Sequence, residues 1–134
     1  MEGIIVLGHG SRAAVDEANV FLERLAAVIA RIFPTVRVEP AWLNPRAARQ
    51  NFAGAAAKLV AAGAKKIIVA PVFLTDGLHI RKDIPEELVA LSSAYPGVEF
   101  VLARHIGFDP RVVAIVAERI AEVRDGVSRR PPGH

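Results

Sequence analysis

Between Ile67 and Leu74 the chain carries a short apolar run, IIVAPVFL, rich in β-branched residues. It is far shorter than the roughly 20 residues a membrane-spanning helix needs. Such a run reads as a strand buried on both faces, in the middle of a parallel sheet. Thr75-Asp76-Gly77 follows as a turn signal, and His79, Arg81 and Lys82 stand directly after it. A helix is expected from Asp83, with Glu86 three residues on in the manner of a capping box. The segment therefore places one imidazole and two cations at the carboxyl end of a central strand, which is where open parallel sheets bind ligands.

The rest of the chain repeats this alternation. Gly3 to Leu7 is a first strand, followed by Gly8-His9-Gly10-Ser11-Arg12, a glycine-flanked turn that lets backbone approach a ligand closely. Ala18, Phe21, Leu22, Leu25, Ile29 and Ile32 then recur at helical spacing, and Pro34 closes that helix. Val36 to Leu43 is a further extended stretch. Asn44-Pro45 after it reads as N-cap and first helical residue, with Ala48, Phe52, Ala55, Ala56 and Leu59 on one face and Gly63 as the stop. Ile84, Leu88, Leu91 and Tyr95 give the helix after the central strand its stripe. Val98 to Leu102 is the last strand, and after Asp109-Pro110 the last helix carries Val113, Val116, Ile120 and Val123.

Four strands alternating with four helices predict an α/β fold. The expected architecture is one flavodoxin-like domain, a four-stranded parallel sheet of order 2-1-3-4 with helices on both faces. The domain is expected over residues 1–126, with 127–134 as a flexible tail. In that order the first and third strands are neighbours, so His9 and His79 come to the same rim of the sheet.

Composition narrows the chemistry. There is no cysteine, hence no disulfide, thiolate metal site or cysteine nucleophile. A strand beginning at Gly3 and no long apolar run predict a soluble cytoplasmic protein with no membrane partner. The net charge of +3 favours an anionic partner, but neither RNP-type aromatics nor a dense basic helix is present, so nucleic acid is not expected. No phosphate loop and no dinucleotide fingerprint occurs, so no nucleotide is expected. Nor is there a nucleophile elbow.

Two neutral imidazoles can hold a first-row divalent metal in an open coordination sphere, whereas a structural zinc site needs four ligands. Arg12, Arg46, Arg49, Arg81, Lys82 and Arg104 all follow strand ends. As a basic collar they suit a ligand with several carboxylates or phosphates. Some of the six are expected to be ordinary solvated surface cations.

LGHGSR after the first strand, PVFLTDGLHIRKDIPEEL around the third and the Gly107–Pro110 stretch resemble the small class II chelatases of tetrapyrrole biosynthesis. These are the sirohydrochlorin cobaltochelatases of CbiX type and their iron- and nickel-inserting relatives. The resemblance runs to about Arg124. It implies that His9 and His79 bind the metal and that a divalent metal (cobalt, iron or nickel) is co-substrate. It also implies a polycarboxylated tetrapyrrole as substrate, with Ser11, Arg12, Arg46, Arg81 and Lys82 around it. Longer family members hold two such halves, so a chain this short is expected to form a homodimer. A flat macrocycle needs an apolar floor, for which Trp42, Phe73, Leu74 and Leu78 are candidates.

The sequence departs from the family pattern at two places. Many relatives carry a glutamate at the end of the second strand, where this chain reads Ala41-Trp42-Leu43-Asn44. The proton acceptor is then open between a histidine, water, Asp76 and Glu39. His105-Ile106 replaces a Pro-Leu, and His105 is expected to face solvent. Two alternatives stand beside the chelatase: a non-catalytic metal- or tetrapyrrole-binding protein of the same fold, and a flavodoxin-like module binding a phosphorylated ligand or nucleic acid through the collar, which leaves both rim histidines unexplained.

Overall fold

The computed structural model describes residues 1–10, 17–44 and 49–124, the side chains of Leu78 and His79 excepted. Its elements are β1 (Glu2–Gly8), α1 (Glu17–Ile32), β2 (Arg37–Trp42), α2 (Phe52–Ala61), β3 (Lys66–Pro71), α3 (Leu78–Ala94), β4 (Glu99–Leu102) and α4 (Pro110–Arg124). All strand pairs are parallel and the order is β2-β1-β3-β4, as the alternation predicts. Right-handed crossovers then put α1 on one face of the sheet and α2 and α3 on the other.

Period-two alternation divides β1 between those faces. Ile5 and Leu7, with Ile67 and Val69 of β3, meet Phe52, Ala55, Ala56 and Leu59 of α2 and Ile84 and Leu91 of α3. Ile4 and Val6 turn the other way, onto Leu22 and Ala26 of α1 and onto Trp42. Strand β3 is not buried on both faces as its sequence suggests. Ile67 and Val69 are fully covered, whereas Ile68 and Ala70 are only half-buried, because among the described residues no helix lies over that part of the second face.

The helix stripes read from sequence hold in part. On α1 the contact is centred on Asn19, Leu22 and Ala26, with Leu25 and Ile29 beside them. Phe21 and Ile32 are about 60% exposed, since one residue around a helix is a 100° turn away from the contact line. Asn19 is fully buried and partnered.

Two helix starts differ from expectation. Helix α2 is capped by Asn51, whose side chain accepts from the Gly54 N–H at 2.7 Å, not by Asn44. The segment before it is drawn back along β2: Trp42 N–H donates to Gln50 O at 3.0 Å, and Trp42 bridges Asn51. Extended backbone there keeps α2 from beginning before Phe52. Pro45 and Ala48 lie outside the described residues. Replacing Asn51 with Ala is expected to cost about 0.5–2 kcal/mol, read as a lowered urea midpoint with an unchanged slope.

Helix α3 begins at Leu78, not Asp83, with extended Gly77 as N-cap and Arg81 N–H donating to Gly77 O at 3.0 Å. Asp83 and Pro85 imitate a helix start, yet Pro85 lies inside the helix. Having no N–H, it leaves the Arg81 carbonyl without its helical donor. Both residues are exposed, so water can take the missing place. His79, Arg81 and Lys82 thus belong to the first turn of a helix and not to a loop.

Helix α4 departs furthest from expectation. It buries no residue, and Val113, Val116, Ile120 and Val123 are 46–60% exposed. No helix of the described residues is long and apolar enough to cross a membrane. The expected tail, 127–134, lies outside the described residues.

Candidate metal site on the carboxyl rim of the sheet

Strand β1 ends at Gly8, packed so closely on α1 that a Cβ there would stand 2.8 Å from Leu22 Cδ2 and push that side chain aside. His9 follows, exposed, and Gly10 takes φ +93°, the left-handed region that glycine enters at no steric cost. The imidazole is therefore lifted off the sheet between one glycine pressed onto α1 and one that turns the chain.

Backbone hydrogen bonds bind the neighbouring strand ends into one rim. Leu43 N–H donates to Gly8 O at 3.0 Å and Asn44 N–H to His9 O at 2.7 Å, which brings the loop after β2 alongside His9. Val72 N–H donates to Leu7 O at 2.8 Å, so the chain leaving β3 starts beside the chain leaving β1. Gly107 N–H reaches Phe73 O at 3.3 Å and ties in the segment after β4. His79 enters this rim as the second residue of α3, one loop beyond the end of β3.

Of the expected collar, Arg81 is exposed and pairs with Asp76 at 3.5 Å, and Lys82 is exposed. Arg49 is held by Glu23 of α1 at 3.3 Å, the ordinary surface pairing foreseen for some of the six. Ser11, Arg12 and Arg46 lie outside the described residues. Of the floor candidates, Trp42 is buried in the α1-side core and Phe73 packs against the other core. Leu74 is 61% exposed.

Glu39 is not at the rim. It lies mid-strand opposite Ile5, accepts from Gln50 Nε2 at 3.0 Å and is near Arg37 and Lys58. Asp76 and water remain as acceptors, with the histidines. Asn44 keeps its place beside His9, and its cap role for α2 is gone. Replacing Asn44 with Glu puts a carboxylate there. General-base assistance is worth about 10²–10⁴-fold where well aimed, so faster single-turnover insertion with a rate rising from pH 5 to 8 is expected. No gain at any pH places the acceptor elsewhere.

Sequence reading missed one feature of the rim. His105 is half-buried rather than fully exposed and lines an open cleft of about 260 Å³ with Asp76, Ile80, Arg81, Ile84 and Arg104. Its ring lies over Gly107, whose φ of +66° leaves room where a Cβ would stand 3.3 Å from Nε2. The signal lay in Arg104-His105-Ile106-Gly107, where glycine permits the fold-back. Nearby, Asp109 accepts from Arg111 N–H at 2.9 Å and from its guanidinium at two positions, both 2.8 Å. Those hydrogen bonds hold the carboxyl well below the usual range. Among the described residues no three His, Asp or Glu side chains form a metal cluster.

The family model described as CbiX matches residues 3–123. The chain belongs to the CbiX family. Among curated relatives, the sirohydrochlorin cobaltochelatase of Sulfolobus acidocaldarius is 32% identical over 119 residues, 89% of this chain and 89% of that protein. The sirohydrochlorin ferrochelatase of Bacillus subtilis is 34% identical over 124 residues, 91% of this chain but 45% of its own length. The chain thus spans about half the length of that relative. Two solved family structures share its fold. A CbiX protein from Marinobacter aquaeolei VT8 has a TM-score of 0.75 at 26% identity, covering 93% of this chain and 98% of its own. SirB from Bacillus subtilis with Fe3+ has a TM-score of 0.77 at 32% identity, covering 91% and 47%.

Proposed function

We infer that the protein is a sirohydrochlorin chelatase, a lyase that inserts a divalent metal into a polycarboxylated tetrapyrrole. The observation that carries this reading is the CbiX match across residues 3–123, in a chain whose rim lifts His9 into the open. Metal is substrate: cobalt or iron by the relatives' names, with nickel equally acceptable to imidazole.

In this reading His9 and His79 hold the incoming metal through neutral imidazole and release it to the macrocycle, which needs a sphere left open for ligand exchange. Two pyrrole N–H protons leave as the metal enters. Asp76 suits an acceptor's role because it is a carboxylate, 44% exposed, on the loop after β3. Arg12, Arg46, Arg81 and Lys82, with Ser11, meet the substrate's carboxylates. Arg104 and His105 extend that collar across the cavity beside α3.

We place the enzyme in the cytoplasm as a homodimer, with the substrate between two rims. The apolar surface at one rim supports this: Leu74 and Ile106 are 61% and 43% exposed and Phe108 is 94% exposed, side chains that a monomer seldom leaves together in water.

Anaerobic incubation of sirohydrochlorin with Co2+, Fe2+ or Ni2+ and the protein, followed by absorbance, tests the reading. At least one metal is expected to insert faster than without protein, and no acceleration with any metal refutes it. Tetrapyrrole affinity is also expected to fall as salt rises, because exposed pairs are screened over about 8–10 Å at physiological ionic strength. Arg81→Ala should lower it further and flatten the salt slope. Salt-independent binding removes the collar from the account.

A further inference from the structure

Among the described residues one polar side chain is fully buried, Asn19 of α1. An amide taken out of water is costly unless its C=O and NH2 find partners. No buried side-chain nitrogen or oxygen of the described residues lacks one, and Asn19 is partnered. A satisfied buried amide rigidifies the segments it joins, so its place along the helix matters.

Helix α1 follows β1 through a crossover and so runs back down the sheet from the carboxyl rim. Leu22 marks the level at which the strand ends: its Cδ2 is the atom that a Cβ on Gly8 would meet at 2.8 Å. Asn19 stands three residues nearer the helix start, about 4.5 Å further towards the rim and within about 60° of the same face. The Cα–Cβ bonds of a helix tilt towards its N-terminus, which carries the amide further still. Asn19 is therefore buried beyond the last residue of β1, at the level where His9 leaves the sheet.

The imidazole of His9 is exposed, so its position follows from the backbone that carries it. One side of that backbone is fixed. His9 O accepts from Asn44 N–H at 2.7 Å and Gly8 O from Leu43 N–H at 3.0 Å, both from the chain leaving β2. Gly10 then turns with φ +93°, and the chain enters α1 at Glu17. Bonds on the β2 side alone leave such a turn free to pivot about them. In the first turn of α1, Asn19 is the buried polar group on the opposite side. An Asn amide donates and accepts at once, as the N–H and C=O groups of a turn require.

We propose that Asn19 is a positioning residue for the metal site, its amide holding the His9 turn from the α1 side so that the imidazole is presented in one place. The inference rests on the reading of His9 as a metal ligand. It gives a buried residue that meets neither metal nor macrocycle a part in metal affinity.

The test titrates Co2+ alone, by calorimetry, into the unaltered protein, His9→Ala, Asn19→Leu and Ala26→Gly. Leucine branches at the same carbon as asparagine and has no polar atom. Ala26→Gly loosens α1 two turns further from the rim, on the same buried face. Asn19→Leu is expected to bind Co2+ about 10–100-fold more weakly, with its far-UV spectrum and its affinity for metal-free sirohydrochlorin unchanged. Ala26→Gly is expected to lower Tm and leave Co2+ affinity as it was. Should Asn19→Leu not fold, Asn19→Ser takes its place, with a loss of at least about 10-fold; if neither folds, the residue serves stability and the proposal falls. Unchanged Co2+ affinity in a folded Asn19 variant overturns it while His9→Ala still loses the metal. An equal loss in Ala26→Gly overturns it too, since the effect is then one of helix stability. If His9→Ala binds Co2+ as tightly as the unaltered protein, the metal reading itself fails and the inference falls with it.

Discussion

Replacing His9 or His79 with Ala is expected to reduce metal insertion by about 10²–10⁴-fold. In the proposed site two imidazoles share the metal, so the loss of either leaves only one of the pair. For His9→Ala no loss of fold accompanies this, because the side chain is exposed and its ordered contact is a backbone one, His9 O accepting from Asn44 N–H. Titration calorimetry should show metal affinity lost in both variants. In the unaltered protein, affinity should weaken as pH falls, since a proton and a metal compete for the same nitrogen lone pair. Unchanged affinity in both variants removes the histidine pair from the mechanism.

The largest effect on stability is expected at Phe52. It is the first residue of α2, 1% exposed, and lies in the core shared with Leu7, Val69 and Ile84. Its ring lines one cleft with Trp42 and Leu43. Phe52→Ala removes that ring and leaves a cavity, at a cost of about 3–5 kcal/mol. That is a large part of the 5–15 kcal/mol typical of a whole domain. A fall in Tm of about 10–20 °C is the corresponding readout. A drop of only a few degrees means the helix end collapses into the space, so that this side of the rim is far more compliant than its burial suggests.

Strand order was legible because it follows from alternation and handedness, which one chain displays in full. IIVAPVFL and GIIVL have the burial expected of central strands on their α2–α3 side. Helix boundaries were harder. Asp83 and Pro85 carry start signals, but Gly77 and the hydrogen bond from Arg81 N–H set the start, five residues earlier. Asn44 precedes Pro45 as a cap should, yet the bridge from Trp42 to Asn51 moves the cap to Asn51. The Trp42–Asn51 bridge is a contact between segments that no local pattern encodes, whereas at α3 two local start signals compete and the earlier one, at Gly77, wins.

The apolar stripe of α4 was legible too, but not what it packs against: periodicity shows that a face wants covering and is silent on which chain covers it. At the site, His9 was marked by its glycines. His105 was hidden, because its burial depends on the fold-back at Gly107. Glu39 was a candidate acceptor only while the register of β2 was open, and pairing with Ile5 removes it.

The central claim is turnover. A binding protein of the same fold also takes up metal and tetrapyrrole, but it forms no more than one metallated macrocycle per site. The deciding measurement is anaerobic insertion with sirohydrochlorin and metal both in large excess over protein, counting product by absorbance against a protein-free control. The account predicts many metallated macrocycles per protomer, with a steady rate proportional to protein concentration and lost in His9→Ala. A single stoichiometric burst followed by the spontaneous rate contradicts it.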